Sequence, residues 1–139
     1  MKKRNVHLIR LLDARPQSAR VAVYLIVANI FILMSLSGWK YLTGTIPLLQ
    51  LNANLLVYFT LLFLPWRIWQ GGGYSRIAYT LMVASSVAPV IFWVIPGGFA
   101  DRLVLFSGAI PVQLASVFFL YTPAARDWFL KVQEVRLIK

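Results

Sequence analysis

The sequence predicts an all-α fold: a four-transmembrane-helix bundle with short interfacial helices at the N- and C-termini. Three observations predict it. The 139 residues are 60% hydrophobic and only 13% charged, with a mean hydropathy of +0.73, whereas a soluble domain carries about a quarter charged residues. The apolar residues gather into four runs without charges, at 21–39, 47–65, 77–95 and 103–121. The bases flank these runs and stay out of them. Each run, at a rise of about 1.5 Å per residue, nearly matches a hydrocarbon core of roughly 30 Å. Inside a bilayer the backbone has no water to bond, so each run is read as a helix. A single integral membrane domain uses up the chain.

Segment 1–20 mixes Val6, Leu8, Ile9, Leu11 and Leu12 with bases. It predicts a short helix lying on the membrane, broken at Arg15-Pro16 because proline disfavours a helical residue before it. The first run follows, bounded by Arg20 and Lys40. Basic residues, an apolar run and Ser35-Leu36-Ser37 before Gly38 also have the outline of a signal peptide. The long basic region with Asp13 and Pro16, and the continuation to Trp39, favour a retained span.

The second run closes on Trp66, Arg67 and Trp69, and Gly71-Gly72-Gly73 then reads as a flexible tight turn. It does not match the nucleotide-binding P-loop, since no Lys-Ser/Thr follows and no strand precedes it. The third run lies between Arg76 and Pro96-Gly97-Gly98, the fourth between Asp101-Arg102 and Thr122-Pro123, and Pro89 and Pro111 predict kinks. Thr122-Pro123 predicts an N-cap and a proline at the first helical position. They open an amphipathic tail, 123–139, with Trp128, Phe129, Val132 and Val135 on one face and Asp127, Lys131 and Glu134 on the other. Trp128, Phe129, Lys131 and Arg136 are expected to face lipid or a partner.

Net charge is +10, from 14 Lys and Arg against four acids. Lys2, Lys3, Arg4, Arg10, Arg15 and Arg20 precede the first run, Arg67 and Arg76 lie in the middle loop, and Arg126, Lys131, Arg136 and Lys139 are in the tail. The other loops hold only Lys40 and Arg102. Positive charge stays on the cytoplasmic side, so both termini and the middle loop are expected there. Anionic lipid headgroups at that face are the expected partner, with a membrane protein or a second copy of the chain as a further one, and nucleic acid is not expected. Trp39, Tyr41, Trp66, Trp69, Tyr74, Trp93, Tyr121 and Trp128 fall near span ends, where half-buried rings suit the interface.

Chemistry is sparse. There is no cysteine, the single His7 sits in the basic segment, and Asp13, Asp101, Asp127 and Glu134 all lie outside the runs. Proton coupling, intramembrane metal sites and a base-assisted nucleophile all need ionisable groups within the spans. The expectation is therefore a non-enzyme, with no catalytic residue, metal or cofactor. The spans do hold uncharged polarity, with Gln50, Asn54 and Tyr58 on one helix face and small residues at Ala84, Ala88, Gly108, Ala115 and Ser116. Counting inward places Asn29, Asn54, Ser85, Ser86 and Gln113 within roughly 3 Å of one plane. The candidate binding feature is a mid-membrane polar layer of Asn29, Gln50, Asn54, Ser85, Ser86 and Gln113. It reads as glue between helices or as a solute site entered past Gln50.

Arg15-Pro16-x-Ser18, Gly73-Tyr74-Ser75-Arg76-Ile77, and Leu120-Tyr121-Thr122-Pro123-Ala124-Ala125 with Trp128-Phe129 resemble the span ends of a loose group of small four-span bacterial inner-membrane proteins. The resemblance implies that topology and that membrane, and it implies no activity. The expected function is a non-enzymatic accessory, assembly or envelope-protection (immunity-type) component acting through protein or lipid contacts. The alternative is a small carrier or pore for a neutral or apolar solute.

Overall fold

The computed structural model describes residues 2–92 and 108–137, with side chains from 8–87 and 108–137. All regular structure among them is helical. The helices are α1 (Lys2–Asp13), α2 (Gln17–Leu42), α3 (Leu48–Leu61), α4 (Phe63–Trp69), α5 (Gly73–Phe92), α6 (Ile110–Leu120) and α7 (Pro123–Leu137). Among the described residues two stretches, Gln17–Leu42 and Leu48–Trp69, are long and apolar enough to cross a membrane. The four-span expectation is thus met in part. The end of the third expected run, the Pro96-Gly97-Gly98 turn, Asp101-Arg102 and the start of the fourth run lie outside the described residues.

Prolines set most of the boundaries. Between α1 and α2, Pro16 is extended (φ −65°, ψ 150°) and its carbonyl accepts the Arg20 N–H, so the chain restarts as helix just after the expected break. Pro65 divides α3 from α4 at Leu62 without ending the span. A proline inside a helix lacks its N–H and its ring crowds the carbonyl four residues back, here that of Leu61. The helix then recovers and runs on to Trp69, past the Pro65 end expected from the sequence. Pro111 sits in the first turn of α6, directly after a π-helical turn at Gly108 and Ala109, an irregularity of the kind that accompanies a bend in a helix. Helix α5 continues through Pro89.

Thr122 departs from its expected role. Its hydroxyl donates backward to the Phe119 carbonyl at 3.1 Å, closing α6, while only its carbonyl serves α7 by accepting the Arg126 N–H.

Helix α2 is the central element and packs on α3, α4, α6 and α7. Ala19, Ala22, Val23, Ile26, Asn29 and Ile30 form its buried stripe at helical spacing, and the two alanines let a neighbour approach closely. Helix α3 is the opposite case, with no buried residue at all. Leu49 is 81% and Leu56 71% exposed, so one face of the helix turns apolar side chains away from the protein, while Tyr58 and Leu61 pack against the core.

Candidate functional site

The residues expected in one polar layer divide into two bonded clusters and several outliers. The first cluster joins α5 to α6. Tyr79, 1% exposed, donates its phenol to Ser116 Oγ at 2.8 Å, and Ser116 donates onward to the Gln113 carbonyl at 2.7 Å. Ser86 Oγ shares its proton between the Val83 carbonyl (2.9 Å) and Gln113 Oε1 (3.3 Å). The second cluster joins α2 to α3, where Asn54 Nδ2 donates to Ser37 Oγ at 3.4 Å and Ser37 meets the Tyr58 hydroxyl at 3.4 Å.

Asn29 belongs to neither cluster. It is 2% exposed on α2, and its Oδ1 is buried with no hydrogen-bond partner. Gln50 is exposed in the first turn of α3, and Asn52 is exposed two residues further on. Ser85 is exposed and returns its hydroxyl to the Met82 carbonyl at 2.8 Å. A single bonded layer is therefore corrected to two helix-pair clusters. Depth along a helix follows from counting residues, but the rotation of each helix decides which neighbour a side chain meets. Ser37, Tyr79 and Ser116 are the members that sequence reasoning missed as polar partners. Ser116 lies three residues after Gln113 on the same helix, which was the available signal.

The tail is also corrected. Trp128 and Phe129 are 5% and 1% exposed, so they face the chain's own α1, α2 and α5 and present no surface to lipid or a partner. Ala125 and Val132 complete the buried face of α7, while Lys131 and Arg136 stay exposed, as do Asp127 and Glu134. Trp128 Nε1 donates to the Leu11 carbonyl at 2.7 Å, tying α7 to α1. Arg136 donates to the Gln70 carbonyl.

Two arginines sit among the rings of this cap. The Arg15 guanidinium lies 3.7 Å from the Trp69 ring centroid and 5.6 Å from that of Trp128. The Arg76 guanidinium lies 4.7 Å from the Tyr121 centroid and 4.9 Å from that of Phe129. An aromatic face attracts a cation through its quadrupole, and more strongly where water is excluded. Arg76 depends on that attraction, since its Nε and Nη1 are buried without a hydrogen-bond partner.

The three glycines form a packed corner, not a flexible turn. Gly71 has φ +78°, a left-handed conformation, and a Cβ there would come within 2.6 Å of Val132 Cγ1 of α7. A Cβ on Gly72 would meet the Arg67 carbonyl at 2.7 Å, and one on Gly73 would collide with the Gln133 amide. The glycines are the surface on which the tail helix seats. Beside them a cavity of about 250 Å³ opens, lined by Arg67, Ser75, Gln133 and Arg136 among others.

Among the described residues no group of three His, Asp or Glu could hold a metal ion. No protein-family profile, curated protein or solved structure matches the chain.

Proposed function

We propose that the chain is a multi-pass protein of a bacterial inner membrane, with four spans and both termini in the cytoplasm. Its role is that of a non-enzymatic accessory, assembly or envelope-protection component working through protein or lipid contacts. The outward apolar surface of α3 is the observation that carries the membrane part. A core helix of a soluble protein would bury that surface, and a cleaved leader would not lie in the middle of the chain. The lopsided placement of the bases supports the orientation.

The polar side chains of the helices support the non-enzymatic part. Tyr79, Ser116, Gln113 and Ser86 are engaged with one another, and Ser37, Asn54 and Tyr58 likewise. Groups bonded across helix pairs hold those pairs together. One observation favours the second reading, a carrier for a neutral solute: the buried, unpartnered Asn29 carbonyl is an acceptor that a solute donor could use.

Reporter fusions test the topology. A reporter active only outside the cytoplasm is expected to be silent at Gly72 and after Lys139, and active in the loops around Thr43 and Gly98. Activity at Gly72 sinks the four-span reading. Solute flux into vesicles carrying the purified chain would replace the accessory role with the carrier.

A further inference from the structure

We propose that the cavity beside the glycine corner binds an anionic phosphate group, supplied by the headgroup of a membrane lipid. Two arginines, Arg67 and Arg136, line it together with Ser75 and Gln133. No carboxylate is among its described lining residues. The wall between them is the start of α5. The Arg76 N–H bonds to the Gly72 carbonyl, which leaves the N–H groups of Gly73, Tyr74 and Ser75 without acceptors within the helix. A helix N-terminus carries partial positive charge, and glycine lets an anion come close to the backbone. The helix start alone would not make a site; two arginines lining one partly open recess give it an anion's chemistry. Arg136 is held in place by its bond to the Gln70 carbonyl, so part of the ordering cost of binding is already met.

The lipid source follows from the surroundings. Tyr74 and Leu137 also line the cavity, giving the charged recess an apolar lip. Trp66 is half exposed nearby in α4, and Arg67 itself leans on the Phe63 ring with 5.9 Å to the centroid. A phosphate joined to an acylglycerol matches such a recess at both ends, whereas free phosphate uses only the charged part. The lipid source rests on the membrane reading above, which puts the α4–α5 corner at headgroup depth.

The test uses the full chain in an uncharged detergent, with thermal melting followed as a short-chain phosphatidylglycerol is added. Diacylglycerol of the same chain length and inorganic phosphate are run in parallel. Phosphatidylglycerol is expected to raise the melting temperature saturably, diacylglycerol to leave it unchanged and inorganic phosphate to act only at far higher concentration. Arg67→Gln should weaken the lipid response about tenfold, as loss of one charge-assisted pair does. Arg126→Gln, which removes an exposed charge outside the cavity, should keep it. Ser75→Ala tests the same wall with the charge intact and should weaken the response by a smaller factor. An equal response to diacylglycerol, or full response in both Arg67→Gln and Ser75→Ala, overturns the site. Equal potency of inorganic phosphate overturns the lipid source. The melting assay reads the cavity in detergent and does not depend on topology, so a failure here is distinct from a failure of the fusions.

Discussion

Arg15 lies flat enough on Trp69 that its guanidinium carbon is 3.7 Å from the ring centroid, and its Nη2 donates to the Trp69 carbonyl at 2.8 Å. One residue thus engages both the side chain and the backbone of another 54 positions away. Burial, and after it the charge of Arg20, pushes the Arg15 guanidinium below its ordinary value, against the smaller opposing pull of Asp13 and Tyr24. An arginine keeps its proton nonetheless. The ring and the carbonyl must then offset the cost of removing a permanent charge from water.

The first prediction follows from that balance. Arg15→Ala is expected to lower the stability of the detergent-solubilised chain by about 1–3 kcal/mol, read as a lower melting temperature. Arg15→Lys should recover only part of it, because an ammonium can neither stack flat nor reach the carbonyl in the same geometry. Full recovery by lysine would mean that charge alone matters at this position.

The glycine corner and the interior of α2 give predictions of opposite sign. Gly71→Ala forces a side chain into a left-handed position against Val132, and Gly73→Ala meets the Gln133 amide. Gly71→Ala should cost about 1–3 kcal/mol and make α7 easier to release by limited proteolysis, whereas Gly73→Ala should cost less, because the Gln133 amide is the end of a flexible side chain that can swing aside. Gly38, in the interior of α2, has open space where an alanine methyl would sit, with nothing within 4 Å. Gly38→Ala should therefore stabilise by about 0.5–1 kcal/mol, since alanine loses less freedom in a helix. Equal melting temperatures for all three variants would remove the packed-corner account.

The chain Tyr79–Ser116–Gln113 is open to a double-mutant cycle. Ser116→Ala leaves the Tyr79 hydroxyl, in a 1% exposed side chain, without its 2.8 Å partner. A buried donor left unpaired costs about 1–3 kcal/mol. Adding Tyr79→Phe removes that orphan, so the double variant should be more stable than the sum of the singles by about 1 kcal/mol. Strict additivity in thermal or denaturant unfolding would show that the two hydroxyls do not interact.

These sites differ in how far the sequence revealed them. The restart of the helix after Pro16 and the start of α7 at Pro123 were legible, because proline acts on its immediate neighbours. The inward position of Asn29 and Gln113 was legible from depth within their runs. The tail was misread, since an amphipathic stripe fits a membrane surface and a protein groove equally well. Its actual partner, the Leu11 carbonyl, is 117 residues from Trp128, and no local pattern encodes such a distance. The glycines read as flexibility because the side chains that meet Gly71 and Gly73, Val132 and Gln133, arrive about sixty residues later. Asn54 was expected to bond across the bundle, and helix rotation gave it Ser37 as its partner.

The last prediction compares Asn54 with Asn29. Asn54 is half buried and donates one long bond to Ser37, so Asn54→Leu should cost only about 0.6–2 kcal/mol. Asn29 is buried more deeply, yet its Oδ1 has no partner. An unpaired buried carbonyl is a standing penalty of about 1–3 kcal/mol. Leucine has the same branching at Cγ and no polar atom, so Asn29→Leu should raise the melting temperature in detergent, less whatever its extra bulk costs in packing. The two asparagines are thus expected to respond in opposite directions, the deeper one gaining. A stabilised Asn29→Leu would identify the carbonyl as unused in the working protein and weigh against a solute site there. If Asn29→Leu instead melts lower than wild type while Asn54→Leu changes little, Oδ1 has a partner in solution, and the carrier reading gains the acceptor it needs.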